Sequence, residues 1–320
     1  MVKNPRWIVY SLIFIALLFI PRILSIHDLM LFEYGITFAI VGLGFNLLLG
    51  YTGLLSFGHG AYFATGAYTV AMIAKYLPQA YSLEILIPAA LFFSLVLSII
   101  FGFVCVRHTK IFFSILTLSL SMLLFALLFK LYHLTGGSDG LRVPLPTLFG
   151  MSFKGIRRPE FLLGTYYYFL LGMFSVSFLV MKGIVSSPFG KALQAIRDNE
   201  VRAELIGIRV RRYRLYAFII SGMFVGLGGA LWTFVNGHVT ADLSHWVFSG
   251  EIVYMTLLGG FGIFEGPIVG AIIFTYLKLY AMGNTQYWMF VIGGTLIVLV
   301  LLLPNGIAGA FSGLWTKIKK

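Results

Sequence analysis

Four polar side chains sit inside otherwise apolar runs: Asn46, Ser56, His59 and Glu251. In hydrocarbon each is costly unless satisfied, so each is a candidate for a substrate path. Asn46 and Ser56 flank the glycines Gly50 and Gly53. Two chemistries fit His59, a proton carrier or ligand on one hand and a hydrogen-bonded packing residue on the other. Glu251 opens an apolar run after a stretch without Lys or Arg. There it either caps a first helical turn, where a carboxylate is favoured, or faces a cavity. His238, Asp242 and His245 are spaced by four and three residues, which suits a metal on one helix face. A solvated loop with scattered histidines is the plainer reading, and no metal is expected.

The longest polar stretch is 182–214, with eight basic residues against Asp198, Glu200 and Glu204. A short helix fits 200–206, with Asn199 as its N-cap and Gly207 as its terminator. Val201 and Leu205, four apart, share a face of it. Arg202 lies between them, and Ala203-Glu204-x-x-Gly207 closes the segment. A short amphipathic helix of this kind fits a groove on a soluble partner. The same segment would also lie on an anionic inner leaflet, held by its arginines.

Enzymatic signatures are missing. There is no Gly-x-x-x-x-Gly-Lys-Ser/Thr loop, no His-Glu-x-x-His, no Cys-x-x-Cys and no Gly-x-Ser-x-Gly. No catalytic residue and no cofactor is expected in this chain. If nucleotide hydrolysis drives it, the nucleotide is bound elsewhere.

The elements that must position these residues are set by composition. Of 320 residues, 59% are hydrophobic and 11% charged, too few charges to solvate a soluble globule of this size. One cysteine excludes disulfides within the chain. The net charge of +12 arises from basic clusters between apolar runs, a topology signal rather than a nucleic-acid footprint. A helix needs roughly 20 apolar residues to cross a bilayer. The fold class is therefore all-α and polytopic, one transmembrane domain over 1–320 with about ten spans. They fall at 7–24, 31–49, 56–74, 85–106, 111–131, 161–181, 215–235, 248–258, 266–280 and 287–303. Lys3, Arg6, Arg107, the 182–214 segment, Lys317, Lys319 and Lys320 place both termini on the inner side. Against this pattern, the outer loop 132–160 holds Arg142, Lys154, Arg157 and Arg158.

Glycine marks where helices are expected to break or pack closely. Breaks are expected at Gly50, Gly53, Gly259, Gly260, Gly266 and Pro267, with one late span a re-entrant half-helix. Gly222–Gly226 and Gly266–Gly270 have small-xxx-small spacing. An early break and a late one hint at two related halves.

Four stretches carry a resemblance to a known family. They are Asn46 to Tyr68, Thr135-Gly-Gly-Ser-Asp-Gly-Leu141, Ser187 to Gly207, and Ser249 to Ala271. The chain resembles the permease subunits of branched-chain amino acid ABC importers, the LivM type in particular. The resemblance implies a half-channel paired with a second permease of LivH type. It also implies two cytoplasmic ATPases that bind the ATP, and a periplasmic or extracellular solute-binding protein. In this family a coupling loop similar to 199–207 sits in a cleft of the ATPase. Asn199, Glu200, Val201, Arg202, Ala203, Glu204, Leu205 and Gly207 would thus be the coupling residues, in the inner membrane of a prokaryote. Urea, amides or other amino acids are alternative cargoes. A secondary transporter or channel, and an intramembrane enzyme, are the other classes. Glu265, before Gly266-Pro267, departs from the pattern of many relatives.

Overall fold

The computed structural model describes residues 5–310 apart from 109, 149, 152, 154 and 304. Lys3, Lys154, Lys317, Lys319 and Lys320 lie outside the described residues. In chain order the elements begin with α1 (Pro5–Phe19), α2 (Ile26–Thr52), α3 (His59–Tyr76), α4 (Leu83–Cys105) and α5 (Lys110–Lys130). Short elements follow: α6 (Tyr132–Thr135), β1 (Leu141–Arg142) and α7 (Arg158–Phe161). A π-helical stretch, Leu162–Tyr166, leads into α8 (Tyr167–Ser186). Then come α9 (Pro188–Asp198), α10 (Glu200–Leu205), α11 (Val210–Asn236) and β2 (His238–Val239). The last three are α12 (Trp246–Gly259), α13 (Gly266–Asn284) and α14 (Trp288–Leu302).

Each of the ten expected spans falls on a helix. Among the described residues, six helices are long and apolar enough to cross a membrane, and three shorter ones are apolar. The chain is an all-α, multi-pass membrane protein. Its peripheral helices α1, α4, α5 and α14 expose Leu12, Phe92, Ile115 and Leu301, side chains that suit a lipid surround.

At the centre α2 and α11 run antiparallel. Tyr34 bonds Asn236 near one end, and Gly44 lies against Phe224 and Ser221 farther along. Ser94, Ser98 and Gly102 of α4 face Gly226, Gly222 and Leu215 of α11, so the Gly222–Gly226 pair does pack a neighbour closely. On α3, Gly66 meets the Gly226 carbonyl of α11, an approach that leaves no room for a Cβ.

The two hinted halves are visible in the backbone. Both α2 and α11 are 27 residues long, and each ends on a left-handed glycine, Gly53 at φ 72° and Gly237 at φ 75°. Irregular chain follows in both cases, then a helix that starts deep among the others. α3 begins where His59 touches Ser221, and α12 begins just after Ser244, which bonds Ser121 midway along α5. Because α2 and α11 are antiparallel, the two units have opposite sense, an inverted repeat. α12, 14 residues or about 21 Å long, is shorter than a hydrocarbon core.

The loop 132–160 accounts for part of its own charge. β1 pairs antiparallel with β2, Leu141 opposite Val239. Arg158 donates to the Phe234 carbonyl in the last turn of α11 at 3.0 Å and to the Val143 carbonyl. A cation there complements a helix C-terminus. Arg158 thus serves packing, which explains why a basic residue sits in a loop expected outside.

Candidate functional site

Two regions hold the residues singled out by the sequence: the α9–α10 face, and the place where α3 and α12 begin.

On the α9–α10 face, local capping decides the structure. Ser187 accepts from the Gly190 N–H, and Pro188 sits in the first turn of α9, an amphipathic helix beyond the one expected. Asn199 ends α9 and caps α10, its Oδ1 accepting from Arg202 N at 2.9 Å. Gly207 closes the segment at φ 89°, its N–H donating to the Glu204 carbonyl at 2.9 Å. Arg214 of α11 holds both Glu200 oxygens, at 2.6 and 2.8 Å. Arg197 donates to the Gly50 carbonyl at 2.6 Å, which ties α9 to the end of α2. Phe189 stacks on Tyr213 at 5.5 Å. Ala203 faces inward, buried. Val201, Leu205 and Ile206 are 67%, 82% and 71% exposed, an apolar ridge without a partner among the described residues.

Where α3 begins, His59 is fully buried. Its Nδ1 lies 2.8 Å from the Ser56 hydroxyl and its Nε2 2.8 Å from that of Ser221. Phe45, Tyr62 and Phe218 enclose the ring edge-on. Of the two readings for His59, this geometry is that of the packed, hydrogen-bonded one. One residue on, Gly60 N donates to the Ser249 hydroxyl of α12 at 2.8 Å, so the first turns of α3 and α12 touch. Asn46 is buried, and its Oδ1 has no hydrogen-bond partner among the described residues.

Several expectations require correction. Glu251 is not in a first turn: α12 starts at Trp246 and is capped by His245. Instead Glu251 pairs with Lys278 of α13 at 2.6 Å, and the ammonium lies 5.6 Å from the Trp288 ring centroid. Ser56 and His59 come together, whereas Glu251 is engaged elsewhere. Gly50 breaks nothing. It lies inside α2, held close to the Phe261 carbonyl, and the break comes at Gly53. Gly259 ends α12, Gly260 (φ 102°) turns the chain, and Gly266 and Pro267 begin α13. Helices α12 and α13 meet through Gly259, Gly266 and Gly270.

Glu265 fits this turn through partners from outside it. It accepts from the Tyr10 hydroxyl of α1 and from Lys182 of α8 at 3.1 Å. Burial opposes ionisation of Glu265; the Tyr10 hydroxyl, the backbone and Lys182 outweigh it and hold the carboxyl below its ordinary range. Lys182 also lies 4.3 Å from the Phe264 ring centroid.

His238 approaches the Asp139 carbonyl at 2.8 Å, and His245 accepts from Val247 N. Among the described residues no group of three or more His, Cys, Asp or Glu is placed to hold a metal. The sequence does not single out Lys278, and it shows Arg214 and Lys182 only as charges of the 182–214 segment, not as partners of Glu200 and Glu265. Lys278 had a signal: it is the first cation after 215–277, a run without Lys or Arg, and a span lysine calls for a nearby acid.

Comparison with known proteins gives a consistent result. The family described as branched-chain amino acid transport system / permease component matches residues 29–300. The chain is 28% identical over 289 residues to the high-affinity branched-chain amino acid transport system permease protein LivM of Escherichia coli K12, covering 84% of this chain and 67% of that one. To the corresponding LivH protein of Salmonella typhimurium it is 24% identical, covering 86% and 92%. A galactose/methyl galactoside import permease protein, MglC of Haemophilus influenzae, is 28% identical over 43% of this chain and 46% of its own. No solved structure is matched.

Proposed function

Since the chain belongs to the permease component family of branched-chain amino acid transport systems, we propose that it is the LivM-type half of an ATP-driven importer of leucine, isoleucine and valine. A second, LivH-type permease completes the channel. Two soluble ATPases bind and hydrolyse ATP, and a solute-binding protein delivers the amino acid on the opposite face. Both termini and the α9–α10 segment lie on the ATPase side, the inner side of a prokaryotic plasma membrane. Similarity to LivM over 84% of the chain, against under half for the sugar permease, favours amino acids as cargo.

The observation that carries this reading is the exposed ridge of Val201, Leu205 and Ile206 on a helix braced from behind. An apolar ridge on a six-residue helix fits a cleft on a soluble partner. Residues 199–207 are the coupling segment: the ATPases push on α10, and the Arg214–Glu200 and Arg197–Gly50 contacts pass the displacement to α11 and α2. Nucleotide must favour one facing state over the other for this to drive transport. Substrate crosses at the contact between the two permeases. Asn46, Ser56 and His59, buried within this chain, support the path rather than line it, and Glu251 is half-buried at its edge.

The test replaces Glu204 and Gly207. Glu204→Arg with Gly207→Leu should abolish ATPase co-purification and leucine uptake while leaving membrane insertion intact. Undiminished co-purification would refute the coupling role. Urea uptake lost in a strain without the chain, with leucine uptake unchanged, would reassign the cargo.

A further inference from the structure

On the face that carries α9 and α10, a cleft of about 710 Å³ opens between the last turns of α4 and the start of α11. Phe103 and Val106 of α4 and Leu215 and Tyr216 of α11 make its apolar walls, and Phe103 and Tyr216 are exposed. Arg209, Arg211 and Arg212 stand at its rim. Glu204 is the only acid among the lining residues, so the rim is cationic.

The placement of these arginines is electrostatically backwards. α11 is a 27-residue helix whose first turn contains no acid and whose N-cap, Arg209, makes no side-chain cap bond. A helix N-terminus carries partial positive charge, and cations there are disfavoured. Neighbouring arginines have partners: Arg214 holds Glu200, and Arg197 holds Asp198. Arg209, Arg211 and Arg212 have no ion-pair partner among the described residues. Three unpaired cations at the positive end of a helix are stabilised by an anion. The apolar walls say what carries it. They continue onto the exposed apolar side of α4 through Ile100 and Phe103, and Ile111 and Phe112 of α5 are exposed beyond the α4–α5 turn. A free inorganic anion would use none of that surface.

We propose that this cleft binds an anionic phospholipid, with the phosphate on Arg209, Arg211 and Arg212 and the acyl chains along Phe103 and Tyr216. Neither the cargo nor the ATPase is a premise of this proposal. It does share Glu204 and Gly207 with the α10 segment, so the lipid and whatever docks on α10 would sense one another.

Native mass spectrometry of the purified chain, titrated with phosphatidylglycerol and with phosphatidylcholine of the same acyl chains, tests the site. Phosphatidylglycerol should bind in preference. The triple variant Arg209→Gln, Arg211→Gln, Arg212→Gln should bind it on the order of 100-fold more weakly, at roughly five-fold per arginine. The triple Arg→Lys variant should stay within a few-fold of the wild type, because the charge is kept; loss of binding there would sink the electrostatic account. Phe103→Ser with Tyr216→Ser should weaken both lipids alike. Equal affinity for the two lipids would overturn the proposal. So would displacement by inorganic phosphate alone, the mark of a free-anion site. A Gln variant that binds phosphatidylglycerol normally but loses its ATPase would give the cleft to an acidic soluble partner instead.

Discussion

The guanidinium of Arg214 grips the carboxylate of Glu200 with two parallel hydrogen bonds, at 2.6 and 2.8 Å, across the turn that joins α10 to α11. The Arg214 side chain is buried and that of Glu200 is partly open to solvent. The bidentate form fixes orientation as well as distance. A six-residue helix is too short to be stable alone, so this clamp and the Asn199 cap must hold it.

Arg214→Met should therefore loosen α10 without unfolding the bundle. Losing a hydrogen-bonded charge pair of this kind costs about 2 kcal/mol. Amide exchange in 199–206 should quicken by on the order of 30-fold, with the protection of α2 and α11 unchanged. Unaltered exchange in α10 would show that the clamp is ornamental.

Glu251 and Lys278 make a second pair, mostly buried between α12 and α13. Removing one partner strands the other: Glu251→Gln alone, or Lys278→Met alone, should cost about 3 kcal/mol. Replacing both should cost less than either single change. Thermal unfolding in detergent across the four-protein cycle would check this, and additive losses would mean the two side chains do not interact.

Close approach of α3 to α11 sets a third expectation. A Cβ on Gly66 would lie 1.9 Å from the Gly226 carbonyl oxygen, a backbone atom that cannot step aside. Gly66→Ala should lower stability by about 3 kcal/mol or prevent folding. Gly172→Ala on the exposed side of α8, where nothing lies within 4 Å, should be neutral or slightly stabilising. Similar melting temperatures for the two variants would contradict the packing described.

The depressed carboxyl of Glu265 predicts a pH dependence. Its folded value lies below its unfolded one, so its contribution is complete above the unfolded value and is lost as pH falls through the folded value. The difference in melting temperature between wild type and Glu265→Gln should be constant near neutrality and shrink on acidification below about pH 4.5. A difference that grows toward acid would reverse the sign of the argument.

What could be read from the sequence was mostly what is settled within a few residues. Asn199 and Gly207 bound α10 because a cap and a left-handed terminator act locally, and both were recognisable by type. α9 has an ambiguous start: Ser187-Pro188 suits a loop, and proline in a first turn is also a helix signal. The cap alternative for Glu251 fails for a different reason. Its partner lies 27 residues away, and nothing near Glu251 in the chain distinguishes a cap from half of an ion pair. The helix breaks were visible as glycines, but Gly50 shows that a glycine in a span can serve contact instead. Which halves meet is a matter of tertiary arrangement, and Ser249 is 189 residues from Gly60.

That separation bears on how the polypeptide is made. His59 finds its Ser221 partner 162 residues downstream. At roughly 5–20 residues per second, the ribosome needs on the order of ten seconds or more to supply it. Throughout that interval His59 Nε2 and the Gly60 amide lack their native partners, Ser221 and Ser249. Slow translation ahead of α11 would lengthen the time these groups spend unpaired.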